Sequence, residues 1–160
     1  MKNSDKIEMY RLWQFHTDLT REVILSVKYS TENLQYCYNK LVAIEEDLGH
    51  NLAKFYGKSA GEKYTELLKS HVDSEATIID RIYNNRGALK SIGQAKHNIK
   101  EIAKLLSRLN PKINYCKVKE LLFDHLDCTI DEIVKVNKGQ LDDSTKCSKI
   151  AEKIATYILS

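Results

Sequence analysis

Apolar residues recur at alternating steps of three and four along nearly the whole chain, a spacing that confines it to helices packed on apolar stripes. Met9, Trp13, His16, Thr20, Val23 and Val27 trace the first stripe, on a helix from about Ser4 to Tyr29. After a break at Ser30, Thr31 and Glu32, a second stripe of Leu34, Cys37, Leu41, Ile44, Leu48, Leu52 and Phe55 runs to about Tyr56. Gly57 is a fitting stop, and Ser59 with Glu62 reads as a capping box that launches a third helix carrying Tyr64, Leu68, His71, Glu75 and Ile78. Asn84, Asn85 and Gly87 end it. A fourth helix runs from Leu89 and stops before Pro111, which disfavours helix at the residue preceding it. A fifth begins at Asn114 and carries Val118, Leu121, Leu122 and His125; a second capping box, Thr129 to Glu132, predicts a bend near Asp127 and a restart. Beyond Gly139 and a turn at Asp142 to Thr145, Cys147, Ile150, Ala151, Ile154 and Ile158 define a last amphipathic helix. The expected fold is all-α: one domain over residues 1–160, an antiparallel helical bundle with a four-helix-bundle-like core and additional C-terminal helices.

Composition narrows the function by exclusion. A formal charge of +3, with lysines and acids alternating along the chain, gives generic nucleic-acid binding little support. No apolar run approaches the roughly 20 residues of a membrane span, and Met1 to Tyr10 is polar, so the expectation is a cytoplasmic protein without a membrane partner. The cysteines Cys37, Cys116, Cys128 and Cys147 lack metal-site spacing and are read as free, mostly buried thiols in a reducing compartment. There is no nucleophile elbow, phosphate-binding glycine loop or dinucleotide fingerprint, and no catalytic motif is recognised.

One feature points to chemistry. Short connections make neighbouring helices antiparallel, so residues equally far from a turn share a height in the bundle to within about one helical turn, or ~5 Å. His16 and Glu46 match across Thr31, Asp47 and His71 across the Gly57 to Ser59 turn, Asn98 or Glu101 and His71 across Asn85, and His125 and Asn98 across Pro111. His16, His71 and His125 also lie on apolar stripes, so three helices send imidazoles inward at one level. Such a layer must be satisfied internally, hydrated or bound to a ligand, because a buried unpartnered polar group costs about 1–3 kcal/mol.

Two readings stay open. In one, His16, His71 and His125 with Glu46 or Asp47 hold a divalent transition metal or a small polar ligand, while Thr20, Arg21, Glu75 and Asn98 stand around them. Arg21 is read first as an exposed surface arginine, and otherwise as a partner for an inward carboxylate such as Glu46 or for an anion. In the other, the bundle is structural or an interaction module, a homo-oligomer for instance, and its histidines satisfy one another. An enzyme using His16 or His125 as a base is a third hypothesis, which needs a pocket reaching the layer. The Glu-x-x-His pairs of di-iron bundles are missing, and the His71 to Glu75 spacing is too common to be read as a ligand pair. His50 and His97 fall off the stripes and are read as solvated.

The series Trp13, His16, Thr20, Arg21, then Glu46-Asp47-Leu48-Gly49, Phe55-Tyr56-Gly57, Leu67 to Val72, Asn98, Asn110-Pro111 and Asp124-His125-Leu126-Asp127 with Thr129 resembles a family of small, uncharacterised bacterial helical-bundle proteins. The likeness covers most of the chain and thins after Gly139. It implies a bundle with a polar interior set of His16, Asp47, His71, Asn98 and His125, and no known reaction. A glycosyltransferase name that some members carry finds no nucleotide-sugar-binding pattern here. The family's tryptophans near Gln94 and after Pro111 are absent, and Glu45-Glu46 stands where Asn-Gln is usual.

Overall fold

The computed structural model describes residues 3–141 and 145–159. It contains helices α1 (Asn3–Tyr29), α2 (Leu34–Tyr56), α3 (Lys58–Tyr83), α4 (Leu89–Leu109), α5 (Tyr115–Asn137) and α6 (Thr145–Ile158). The expected all-α bundle is the fold observed. Residues 142–144 of the turn expected before the last helix lie outside the described residues.

Each helix packs on its successor in the chain, and α6 packs back on α1, so the helices close a ring. Their directions can be read from the side-chain pairs. Lys54 bonds to Glu8 and Glu45 to His16, so the numbering of α2 runs opposite to that of α1. His16 bonds to His125 and Lys28 to Asn137, both at a separation of 109 residues, so α1 and α5 are parallel. Helices α1, α3 and α5 also touch across the middle of the ring, and this gathers the inward side chains of three parallel helices at one height. Apolar residues from all the helices fill the space around them, among them Met9, Trp13, Leu48, Tyr64, Leu68, Ile99, Leu126 and Ile154.

The tightest seam lies between α2 and α3. Gly57 turns the chain at φ 87°, a left-handed conformation costly for residues with a Cβ, so a single residue separates the two helices. Above that turn Gly49 and Gly61 face each other so closely that a Cβ built on Gly61 would stand 2.5 Å from the Gly49 carbonyl oxygen and 2.6 Å from Ala53 Cβ. The seam therefore depends on small residues on both sides.

Three expectations are corrected. No side chain caps the start of α3, so Ser59 and Glu62 form no capping box; the Gly57 turn starts the helix instead. Helix α5 runs unbroken through Asp127, because the Thr129 hydroxyl donates to the His125 carbonyl four residues back instead of capping a new helix. Asn114 does cap α5, accepting from the Lys117 backbone N–H. Two of the cysteines are not free: Cys128 on α5 and Cys147 in the first turn of α6 form a buried disulfide with a Cα–Cα distance of 5.8 Å. Disulfides persist in oxidising surroundings, so the cysteines no longer speak for a reducing compartment. Cys37 is free and buried, Cys116 free and exposed. No helix among the described residues is long and apolar enough to cross a membrane.

The glycine seam gives a paired test. Gly61→Ala should cost roughly 1–3 kcal/mol, because backbone on the facing helix must move. Gly93→Ala, mid-helix with nothing within 4 Å of the added Cβ, should gain roughly 0.5–1 kcal/mol. Urea unfolding midpoints of the two variants, moving in opposite directions, would establish the seam; a neutral Gly61→Ala would mean that the helices have slack there.

Candidate metal centre

Four side chains converge inside the ring: His16 from α1, His71 and Glu75 from α3, and His125 from α5, each offering one ligand atom within 4.8 Å of the others. They sit on the stripes of their helices, His71 and Glu75 one turn apart on the same face. Their exposures are 0 % for His16, 1 % for His125, 2 % for Glu75 and 3 % for His71, so bulk water does not hydrate them. Trp13 packs the edge of the cluster, with ring centroids 5.3 Å from His16 and 5.9 Å from His125.

The Nε2 atoms of His16 and His125 are 3.1 Å apart. Glu75 Oε1 lies 3.3 Å from His71 Nε2 and 3.8 Å from His125 Nε2. His16 turns its other nitrogen outward, and Nδ1–H donates to Glu45 Oε1 on α2 at 2.6 Å. A carboxylate only accepts, so this bond fixes the proton on Nδ1 and leaves Nε2 directed into the cluster. Thr20 donates to the His16 carbonyl and Thr129 to that of His125, each within its own helix.

Satisfaction of the polar atoms is uneven. Neither oxygen of Glu75 has a hydrogen-bond partner among the described residues, and the same holds for Nδ1 of His71 and of His125. Glu45 Oε2, Tyr64 Oη and Trp13 Nε1 are likewise buried without one.

The charges settle accordingly. Burial works against a charged His16, but the Glu45 carboxylate outweighs it and, with Glu75 adding, His16 holds its proton above its ordinary pH range. Burial, reinforced by the His16 charge and only partly opposed by Glu75, pushes His125 down to about 3. Burial would raise Glu75, yet the imidazoles, His71 foremost, hold it at about 2. The arrangement is consistent: an imidazolium at His16 bridges the Glu45 carboxylate and the lone pair of a neutral His125.

The sequence-derived candidates divide. His16, His71 and His125 meet as the level-counting places them. Glu46 and Asp47 do not join them: both are exposed, and Glu46 pairs with Lys69 on the surface of α3. At 100° per residue only one of the three consecutive acids can face inward, and it is Glu45. The signal was present, since Leu41, Glu45, Leu48 and Leu52 are spaced four, three and four apart. Glu75, expected beside the site, stands within it. Arg21 pairs with a carboxylate, that of Glu132 on α5. Asn98 is buried and donates to the Leu67 carbonyl, one turn below His71. His50 and His97 are exposed.

No family model, curated protein or solved structure matches the chain.

The cluster sets a pH profile for metal-free protein. His125 is neutral when folded but takes a proton near 6.5 when unfolded, so stability should fall as pH drops from 6.5 toward 3. Glu75 adds a further loss between 4.5 and about 2, where only the unfolded chain takes up its proton. His16 acts on the other side, since its contribution is lost as pH rises through its elevated value. Unfolding midpoints should thus peak near neutrality, and His125→Gln should flatten the limb between 6.5 and 3; an unchanged limb would assign it to other groups.

Proposed function

We propose that this chain binds one divalent transition metal ion in its core, through Nε2 of His16, His71 and His125 and the carboxylate of Glu75. The observation that carries the reading is Glu75, a fully interior carboxylate whose oxygens lack hydrogen-bond donors while three imidazoles face it. An ion would meet the unbonded carboxylate oxygens directly. A tetrahedral metal with bonds of about 2.0–2.1 Å holds its donors about 3.3 Å apart. Three of the donor separations, 3.1, 3.3 and 3.8 Å, lie near that edge, and all four donor atoms fall within 4.8 Å of one another.

Three imidazoles and one carboxylate suit zinc, iron, nickel or copper better than calcium or magnesium, which prefer all-oxygen shells. Glu45 plays the part of the carboxylate behind a metal-bound histidine, orienting His16 and raising its basicity. Binding replaces the proton between His16 and His125 with the ion, so uptake of metal releases a proton. Four protein ligands with at most 3 % exposure make a closed site, of the kind that ties helices together. A general-base role for His16 or His125 requires a substrate path that these exposures do not offer.

The second reading, a structural bundle with a hydrogen-bonded histidine network, draws on the His16 to Glu45 and His16 to His125 distances, both of hydrogen-bond length. In that reading Glu75 is held by its ion-pair approaches to His71 and His125 alone.

Elemental analysis of untagged protein prepared without chelator, with thermal melts before and after EDTA, separates the two. The metal reading expects about one ion per chain and a lower Tm on chelation, with a stabilisation of about 2.7 kcal/mol at a hundredfold excess over Kd. Affinity should rise about tenfold per pH unit while His16 still holds its proton, and Glu45→Gln should weaken it about 10- to 100-fold. Protein that takes up no zinc, iron, nickel or copper and melts identically with EDTA leaves the network reading standing.

A further inference from the structure

The outer face of α1 leaves large apolar side chains in water. Phe15 is 46 % exposed in the middle of the helix, and Ile7 is 55 % exposed two turns earlier. Apart from Tyr10, the other large hydrophobics left exposed among the described residues sit in a loop or within three residues of a helix end: Tyr29, Leu34, Tyr36, Leu89 and Leu141. At 100° per residue Ile7, Arg11, Phe15, Asp18 and Glu22 fall within an arc of about 80°, so these five exposed residues form one stripe some four turns long. Both flanks of the stripe belong to the bundle. On one side Glu8 pairs with Lys54 of α2, and on the other Gln14 donates to the Ser148 carbonyl of α6. A shallow depression of about 390 Å³ lies along the same stripe between Ile7 and Phe15.

The charges on the stripe are ordered about Phe15. Arg11 stands one turn before it, and Asp18 and Glu22 stand one and two turns after it. Neither Arg11 nor Asp18 closes a salt bridge among the described residues; the charge of Arg11 reaches Glu8, which Lys54 already engages. A second copy of this helix, laid antiparallel about a two-fold axis beside Phe15, places its Asp18 at the level of Arg11 and its Arg11 at the level of Asp18. Both lie about 5 Å along the helix from the axis. The two Phe15 rings then meet at the centre, and each Ile7 lies under the aliphatic stem of a Glu22. A parallel arrangement instead sets Arg11 on Arg11 and Asp18 on Asp18, so the pattern selects one orientation and one register.

We infer that the outer face of α1 is an isologous interface at which two copies of this chain pair, with Phe15 at its centre and two reciprocal Arg11 to Asp18 ion pairs around it. From Ile7 to Glu22 the face is about 22 Å long, at the small end for a specific interface, so the dimer is expected to form at micromolar protein and above. It does not depend on whether the central cluster holds a metal.

Sedimentation velocity of the full chain, from micromolar to about millimolar protein, tests this. A reversible monomer–dimer equilibrium is expected, and Phe15→Glu, Arg11→Asp and Asp18→Arg should each raise the dimer Kd about tenfold or more, with unchanged circular dichroism because all three sites are exposed. The register adds a sharper requirement. Arg11→Asp presents acids at both levels and Asp18→Arg presents bases at both, so an equimolar mixture of the two variants should dimerise as the native chain does, and so should the double variant. A chain that stays monomeric throughout the range leaves the face to some other partner and overturns the proposal. A dimer indifferent to Phe15→Glu overturns it as well, as does a mixture of the charge variants no tighter than either alone.

Discussion

A carboxylate removed from water without hydrogen bonds is among the most costly groups a protein can bury, and the interior of this bundle is organised around one. Glu75 lies between three imidazoles, and each of them is placed by a different relation to it: His71 by one turn of the same helix, His125 by a parallel helix alongside, and His16 through His125. The remaining charge on His16 is then matched by Glu45 from a fourth helix. Four of the helices are thus coupled through a handful of polar atoms, while the rest of the core is apolar and non-directional. Apolar packing specifies that helices meet; the polar cluster specifies at what height.

That height is possible because alternate helices of an up-and-down ring are parallel. Helices α1, α3 and α5 point the same way and meet in the middle. The even-numbered helices serve chiefly as the outer wall, with Glu45 of α2 as the exception that reaches in. The close glycine contact between α2 and α3 suits this arrangement, since it lets Glu45 approach a centre already occupied by the odd-numbered helices.

Much of this was legible in the spacing of residues. Most helix boundaries followed from stripes and from Gly57, Asn84 and Pro111, although the restart expected near Asp127 divided α5 in two, and the three histidines were found by counting from turns. The misses share a cause. Level-counting locates a residue along an axis to within a turn but not around it, so Glu45, Glu46 and Asp47 were indistinguishable by height and separable only by angle. Thr129 failed for a related reason: a hydroxyl that caps a helix start and one that bonds back within a helix look alike in sequence, and only burial against the neighbouring helices decides. The disulfide could not be found by spacing at all, because a sequence separation of 19 and a change of helix stand between its partners.

That bond bears on how the molecule comes apart. A helix that opens locally ordinarily searches freely before redocking. With Cys147 in its first turn held to α5, α6 can open without its root ever leaving the surface to which it must return. Its redocking is intramolecular over a tether of a few residues, at a correspondingly high effective concentration, so the ring recloses quickly after each opening.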